Sequence, residues 1–207
     1  IFKQRLRWSL GLRGGFRRGI SADNPFGVHE YRNVIGNNMQ VRIKAEDYEM
    51  NFAIVQVNQK LREVLNNLMQ FYIYDFSEFL NFDVEENGKY SPYPLDDYFK
   101  EGNHHFAYLI KREEKYVGFV LVRLIEDLGL RRYSIAEFFI LKKYRGEGMG
   151  KSVATDIFNR HKGPWEVHQI ESNQGAQVFW KRVINECTKG QFEERIENGK
   201  TIQTFVS

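Results

Sequence analysis

The sequence predicts a mixed α/β domain, and three local patterns indicate this class. An apolar, β-type run over residues 135–141 passes through a glycine-rich turn into a helical pattern. A strand pattern at residues 52–57 is followed by apolar residues at helical spacing over 61–72. Near the carboxyl terminus, Asn198-Gly199 separates two strand-like segments and is typical of a two-residue hairpin turn. Strands and helices therefore alternate along the chain.

The remaining segments continue this alternation, with glycine and proline marking the breaks between elements. The first helix is predicted to continue to residue 82 and to break at residues 85–88. The further predicted elements are paired strands at 106–110 and 116–125 with a possible bulge at Gly118, the central strand, a helix around 153–158 that stops at residues 162–164, a strand at 165–170, a helix at 174–184, and hairpin strands at 192–197 and 200–205.

Composition places the chain among globular proteins. Its 207 residues are 42% hydrophobic and 15% aromatic, which is enough for one core. No apolar run is long enough to cross a bilayer, so we expect no membrane insertion. The single cysteine, Cys187, excludes an intramolecular disulfide and a cysteine-cluster metal site. A cytoplasmic location is the simplest expectation.

The formal net charge of +3 comes from a basic leader. Six of the 30 Lys and Arg residues lie in the first 22 positions, which leaves 24 against 27 Asp and Glu in the rest. The body therefore gives no electrostatic reason to expect nucleic acid as a partner. Residues 1–38 could mimic a transit peptide or a nucleic-acid arm. We favour a disordered leader that is added or upstream-translated sequence, with Met39 or Met50 as the natural start and a single domain over 39–207.

The glycine-rich turn has the properties of an anion site. The first N–H groups of a helix are unpaired and lie at the positive end of its dipole. Gly146, Gly148 and Gly150 let a phosphate approach the backbone, and Arg145 and Lys151 flank them. The spacing does not match a P-loop, whose first glycine would fall on Arg145, or the Gly-x-Gly-x-x-Gly dinucleotide motif. A glycine-rich turn without a ligand is the alternative.

The pattern that fits is Arg-x-x-Gly-x-Gly, written here as Arg145 to Gly150 after an apolar strand. It resembles the acetyl-CoA loop of the GNAT superfamily of N-acetyltransferases. A second match, Asn173-x-x-Ala176, is similar to the Asn-x-x-Ala of that family. The resemblance covers residues 51–207. It implies the GNAT fold, which is a central, mostly antiparallel twisted sheet with a splayed pair of parallel strands, flanked by helices.

The resemblance also implies a cosubstrate and the residues that hold it. Backbone groups of Ile140 and Leu141 would pair with the pantetheine arm of acetyl-CoA, and Asn173 would contact the cofactor near the splayed strands. No metal is implied, and His104-His105 is interpreted as loop. The pyrophosphate would be held by backbone N–H groups of Arg145, Gly146, Glu147, Gly148, Met149, Gly150 and Lys151.

The predicted activity is transfer of an acetyl group to a primary amine by direct attack on the thioester. Glu137 is the candidate acceptor for the amine proton, since a carboxylate in an apolar strand is costly unless paired, hydrated or functional. Alternatively, Glu137 pairs with an Arg or Lys of a neighbouring strand. Trp180 occupies the position where the family often has a tyrosine that protonates the leaving thiolate. A tryptophan cannot donate a proton at neutral pH. Tyr133 or His168 could substitute for it.

The acceptor is expected to be a small-molecule or peptide amine. An acidic segment over residues 75–97 hints at a cationic acceptor, although a solvated acidic surface explains it equally well. The tyrosines at 90, 93 and 98 could line the acceptor pocket or pack on the surface. A non-catalytic acyl-CoA-binding regulatory module is the alternative function. A homodimer through the final hairpin is possible, since edge strands are common sites of dimerisation.

Overall fold

The computed structural model describes residues 52–100, 102, 104–127 and 129–207. The predicted leader and its boundary at residue 38 lie outside these residues. In chain order the elements are β1 (Ala53–Gln56), α1 (Arg62–Phe76), β2 (His105–Arg112), β3 (Lys115–Asp127), β4 (Leu130–Ile140), α2 (Met149–Arg160), β5 (Pro164–Ile170), α3 (Gln174–Thr188), β6 (Phe192–Glu197) and β7 (Lys200–Val206).

The seven strands form one sheet in the order β1-β2-β3-β4-β5-β7-β6. Neighbouring strands are antiparallel except β4 and β5, which run parallel. A single register pair, Tyr133 with Trp165, joins these two strands in the part of the chain that the structure describes. A gap therefore opens between their carboxyl ends. The predicted mostly antiparallel sheet with a splayed parallel pair is confirmed.

Helices cover both faces of the sheet and bury its apolar side chains. On one face, Tyr72 of α1 packs edge-on against Phe139 of β4. On the other face, Phe138 of the same strand packs against Trp180 of α3. Successive β4 side chains thus point to opposite layers, as the pleat of a strand requires. No helix within the described ranges has the length and apolarity needed to span a bilayer.

Helix α1 ends at Phe76, so the predicted continuation to residue 82 is wrong. Ser77 ends the helix: its N–H donates to the carbonyl of Ile73, and its hydroxyl donates to the carbonyl of Tyr74 at 2.6 Å. Serine competes for backbone hydrogen bonds in this way near helix ends. The apolar periodicity beyond it has a different cause, because Phe79 and Phe82 pack against the core from an irregular connection.

Both predicted hairpin turns are present, and the predicted backbone type is confirmed for the turn between β6 and β7. Asn198 and Gly199 have φ of 49° and 70°, and both φ angles are positive, as in a type I′ turn. Glu113 and Glu114 between β2 and β3 also have positive φ, 49° and 61°. The second turn therefore adopts left-handed backbone without the usual Asn or Gly, so sequence alone did not reveal its type.

Gly118 is expected to be the least replaceable glycine of the sheet. The bulge predicted there lies one residue earlier, because Ile110 pairs with Gly118 while Lys111 pairs with Tyr116. A Cβ on Gly118 would lie 2.1 Å from the carbonyl oxygen of Phe139. Two backbones must therefore separate to admit any side chain. We expect Gly118→Ala to lower the free energy of unfolding by about 3 kcal/mol, measured by urea denaturation.

The control for this variant is Gly129→Ala in the turn between β3 and β4. Gly129 has φ of +78° but nothing within 4 Å of a built Cβ. Only backbone strain of about 1 kcal/mol is expected there. Equal losses of stability in the two variants would contradict the contact argument.

Candidate functional site

The carboxyl ends of β4 and β5 bring together the two motifs found in the sequence. The glycine-rich loop follows Ile140 at the end of β4 and leads into α2. Asn173 follows β5 and caps the amino terminus of α3. Because the two strands are parallel neighbours, both motifs lie at the same edge of the sheet, beside the gap. The structure therefore brings together the predicted cofactor-binding residues.

The loop presents backbone donors at the amino terminus of α2. Gly146 and Gly148 have φ of 87° and 88°, in the left-handed region that favours glycine, and Gly148 is the N-cap. The N–H of Ser152 makes an intrahelical bond to the Gly148 carbonyl at 3.1 Å. The amides of residues 149–151 precede that bond, at the positive end of the helix dipole. This arrangement favours a phosphate group.

Two residues of the loop have a packing role that the sequence did not reveal. A Cβ on Gly150 would lie 3.1 Å from the ring of Phe179 on α3, so this glycine permits α2 and α3 to pack closely. Met149 is completely buried and anchors the start of α2 in the core. The loop is thus held by its own core contacts.

Charged side chains brace the loop. Arg145 donates from Nε to the carbonyl of Ile140 at 2.6 Å and from its Nη2 atom to the carboxylate of Asp75 on α1. Its guanidinium is half-buried and ties the loop to two elements, which is a different role from flanking a ligand with charge. Lys151 pairs with Glu186, and the Glu147 side chain pairs with Arg112 at 2.7 Å.

A pocket of about 130 Å³ opens beside the loop. Arg182 of α3 lines this pocket, although it belongs to neither of the two sequence motifs. Its position three residues after Phe179 places both on one face of α3, which is the signal that could have identified it. The residues that line the pocket are Ile140, Arg145, Gly146, Gly148, Gly150, Lys151, Phe179 and Arg182.

Of the two residues predicted to pair with the pantetheine arm through their backbone, Ile140 fits better than Leu141. Both backbone groups of Leu141 are used inside the chain: its N–H donates to the Val117 carbonyl at 2.8 Å, and its carbonyl accepts from the Tyr144 N–H at 2.9 Å. Leu141 is therefore a poor partner for a ligand strand. Ile140 pairs with Gly118 in the ladder, and its carbonyl accepts from Arg145. Its N–H group is the better candidate.

Asn173 has one satisfied and one unsatisfied polar atom. Its Oδ1 accepts from the N–H of Ala176 at 3.0 Å, which caps α3. Its Nδ2 is buried and makes no hydrogen bond to any described residue. A buried donor without a partner is costly, and a carbonyl or hydroxyl of a ligand in the gap would satisfy it. The residue therefore fits the predicted cofactor contact.

Glu137 lies in β4, next to a bulge. Leu121 pairs with Glu137 while Val122 pairs with Ile135, so Ala136 is the extra residue. Bulges redirect side chains and are common beside functional sites. The carboxylate of Glu137 is completely buried under α1. If Glu137 had only a structural role, an Arg or Lys of a neighbouring strand was the expected partner. The structure instead shows that its carboxylate accepts hydrogen bonds from two tyrosine hydroxyls.

These hydroxyls belong to a network that sequence periodicity could not reveal. Tyr72 of α1 bonds to Oε2 of Glu137, and Tyr93 donates to Oε1 at 2.8 Å. Arg123 of β3 donates to the Tyr93 hydroxyl at 3.0 Å and to the Tyr98 hydroxyl at 3.1 Å. Burial raises the pKa of Tyr98 to about 12 and, together with the negative charge of Glu137, raises the pKa of Tyr93. Both phenols therefore stay neutral, and the buried tyrosines line this side of the sheet.

Tyr133 and His168, the candidates for protonating the leaving thiolate, have different surroundings, as does Trp180. Trp180 is buried among aromatic rings, and Tyr133 packs against His161 and Trp165. His168 lies on β5 with its Nε2 2.5 Å from the carboxylate of Glu166. Burial alone would raise the pKa of Glu166, but hydrogen bonds from Arg195 and His168 outweigh burial and lower it. An ionised carboxylate thus orients the His168 imidazole.

Three acidic residues at the two ends of the segment 75–97 form ion pairs with cations of this chain. Asp75 pairs with Arg145 and Lys142, Asp96 with Arg62, and Asp97 with Lys100. These three carboxylates are less available to a ligand, and the cationic acceptor stays a prediction.

Within the described ranges no three His, Cys, Asp or Glu side chains are arranged to hold a metal ion. His105 begins β2, where the sequence had indicated loop.

Comparison with known families gives one assignment. The family model described as "Acetyltransferase (GNAT) family" matches residues 67–184, which includes most of α1, the glycine-rich loop and most of α3. No curated protein sequence gives a significant match.

Solved structures share the fold at low sequence identity. A probable acetyltransferase from Staphylococcus epidermidis ATCC 12228 gives a TM-score of 0.55 at 11% identity over 76% of this chain and 99% of that one. The GNAT domain of S. lividans PAT gives 0.52 at 12%, over 74% and 89%. PaiA N-acetyltransferase from Thermoplasma acidophilum, solved in complex with coenzyme A, gives 0.50 at 9%, over 76% and 100%.

Proposed function

Because this chain belongs to the acetyltransferase (GNAT) family, we propose that it is an acetyl-CoA-dependent N-acetyltransferase that acetylates a primary amine. The observation that carries the proposal is the juxtaposition at one sheet edge of the glycine-rich loop, the gap between β4 and β5, and the buried carboxylate of Glu137. An anion site, a slot for an extended arm and a proton acceptor are the three parts that such a reaction needs.

We assign the donor to the gap. The amides of the loop would hold the pyrophosphate, with Arg182 adding a cation beside it. The Ile140 N–H and the Asn173 Nδ2 would hold the pantetheine arm, since ligands that pair with a strand edge use main-chain groups in this way. The bound thioester supplies an already activated acyl group.

The acceptor must arrive as a neutral amine and must lose a proton when its nitrogen bonds to the acetyl carbon. Glu137 is our candidate for the final proton acceptor. Since its carboxylate has no exposed surface, the proton must reach it through a water or through a hydroxyl of Tyr72 or Tyr93. Catalysis otherwise consists of holding the amine in line with the acyl carbon.

The leaving thiolate needs a proton or a positive environment. Trp180 cannot supply one. We propose His168 for this role in preference to Tyr133, because Glu166 fixes the imidazole orientation on the strand that borders the gap. Tyr133 instead packs at the point where β4 and β5 pair.

A non-catalytic acyl-CoA-binding module is the second candidate, because Trp180 replaces the usual proton donor. The two functions differ in one readout. An enzyme releases one coenzyme A for each acetylated amine, whereas a binding module retains the intact thioester.

The test is a screen of amine acceptors with acetyl-CoA, read by mass spectrometry of the amines. The panel should contain cationic polyamines, neutral amines, amino acids and peptides with free amino termini. We expect acetylation of at least one class, at a rate far above the reaction without protein. Retention of acetyl-CoA with no acetylated product across the panel would favour the binding module.

A further inference from the structure

The hydrogen bonds around Glu137 have directions that chemistry determines. A guanidinium can only donate, so the Tyr93 oxygen must accept from Nη2 of Arg123. A phenol has one hydrogen, which leaves the Tyr93 O–H to donate to Oε1 of Glu137 at 2.8 Å. Arg123 therefore determines the orientation of the Tyr93 hydroxyl, and Oε1 of Glu137 must act as an acceptor.

Arg123 itself is placed without a carboxylate at ion-pair distance. Its Nε and Nη2 atoms both donate to phenols, and among the described residues no Asp or Glu oxygen lies within 4 Å of its guanidinium. A partly buried cation of this kind is costly unless a more distant charge balances it. Burial alone would lower the pKa of the Arg123 guanidinium, but Tyr98 and Tyr93, and to a smaller degree Glu137, outweigh burial and raise it. Tyr93 joins the two charged groups, since it accepts from Arg123 and donates to Glu137.

We propose that Arg123, acting through Tyr93, is a positioning residue that keeps Glu137 ionised and its carboxylate oriented for proton transfer. This inference rests on the proposed function, in which Glu137 receives the amine proton. Neither residue needs to touch the acceptor. The cation lowers the free energy of the buried, ionised carboxylate, and the intervening phenol transmits this effect through the hydrogen bond that it donates to Oε1.

Other titratable groups face the same region. Tyr72 approaches Glu137 from α1, and Tyr98 approaches Arg123 from the connection before β2. Glu166 and His168 lie on β5, across the gap, and are hydrogen bonded to each other. His105 packs edge-on against Tyr98, and burial followed by the Arg123 charge lowers its pKa. Arg123 is a cation hydrogen bonded to Tyr93, a phenol that contacts Glu137.

The experiment measures Glu137 protonation directly. Each protein is compared with the same protein that also carries Glu137→Gln. The infrared difference spectrum isolates the carbonyl band of protonated Glu137, and the intensity of this band is followed against pH. In Arg123→Met we expect the midpoint of this titration to move to higher pH by about one unit. Tyr93→Phe, which retains the ring in the core, should move it in the same direction. Arg123→Lys, which keeps the charge, should move it less.

The acidic limb of the pH profile of kcat/KM should shift with the infrared midpoint, while the KM for acetyl-CoA stays unchanged. Arg131→Met is the matched control, since Arg131 is exposed and pairs with Glu126. It should change neither the infrared midpoint nor the acidic limb of the pH profile. An unchanged midpoint in both Arg123→Met and Tyr93→Phe overturns the proposal. A raised KM for the amine with an unmoved acidic limb also overturns it, in favour of direct binding of the acceptor by Arg123. The infrared titration does not require turnover, so failure of the proposed function remains distinguishable.

Discussion

Gly146→Val is expected to abolish most of the affinity for acetyl-CoA while leaving a folded protein. Gly146 has φ of +87° and open space where a Cβ would stand. A valine side chain therefore meets no neighbour, but its β-branched side chain strongly disfavours this positive φ. Relief of that strain rotates the peptide groups that precede α2 and turns their N–H groups away from the anion site. We expect the dissociation constant for acetyl-CoA, measured by titration calorimetry, to rise about 100-fold. This change is equivalent to a loss of about 2.7 kcal/mol of binding free energy.

The matched control is Gly129→Val. Gly129 also has a positive φ, +78°, and open space around it, but it lies in the turn between β3 and β4. Similar losses of thermal stability are expected in the two variants, and only Gly146→Val should lose affinity. If both bind acetyl-CoA as well as the wild type does, the loop is not the pyrophosphate site.

Glu137→Gln is expected to lower kcat by about 10²- to 10⁴-fold, the usual contribution of a positioned proton acceptor. The amide cannot receive the amine proton. Its NH₂ group would also face a phenol O–H, since Arg123 directs the Tyr93 hydrogen toward the carboxylate position. The affinity for acetyl-CoA should stay unchanged, because Glu137 lies outside the loop. Steady-state kinetics with the acceptor identified by the screen provides the measurement.

Glu126→Gln serves as the control for this substitution, since the Glu126 side chain is exposed and pairs with Arg131 on the surface. It should not change kcat. A Glu137→Gln enzyme with wild-type kcat at all pH values would remove Glu137 from the mechanism and leave His168 as the remaining candidate for proton transfer.

Local chemistry made the conformation of the glycine-rich loop predictable from sequence. The loop glycines precede a helix start within six residues, so their conformations depend on nearby chain, and the turn at Asn198-Gly199 is local in the same sense. The early end of α1 was missed because Ser77 is a short-range signal that apolar periodicity outweighed. The hydrogen bond of the Arg145 side chain to Asp75 was not predicted, because Asp75 is 70 positions away in the chain.

The surroundings of Glu137 depend on long-range contacts and could not be predicted from the sequence. Glu137 was singled out as a candidate because a carboxylate is conspicuous in an apolar strand. Its partners Tyr72 and Tyr93 are separated from it by 65 and 44 positions, and no periodicity connects them. The sequence suggested tyrosines near the acceptor pocket without their hydrogen bonds. The contacts of Arg123 join β3 to the connection after α1, and no local pattern in the sequence indicates them.

The most direct test of the central claim is to follow the acetyl carbons themselves. Acetyl-CoA labelled with ¹³C in the acetyl group is mixed with the protein and an amine from the screen, and the label is followed by NMR. Our account predicts that the label moves to an N-acetyl product while an equal amount of free coenzyme A appears. Label that stays on coenzyme A, or that appears only as free acetate, would contradict transfer to an amine.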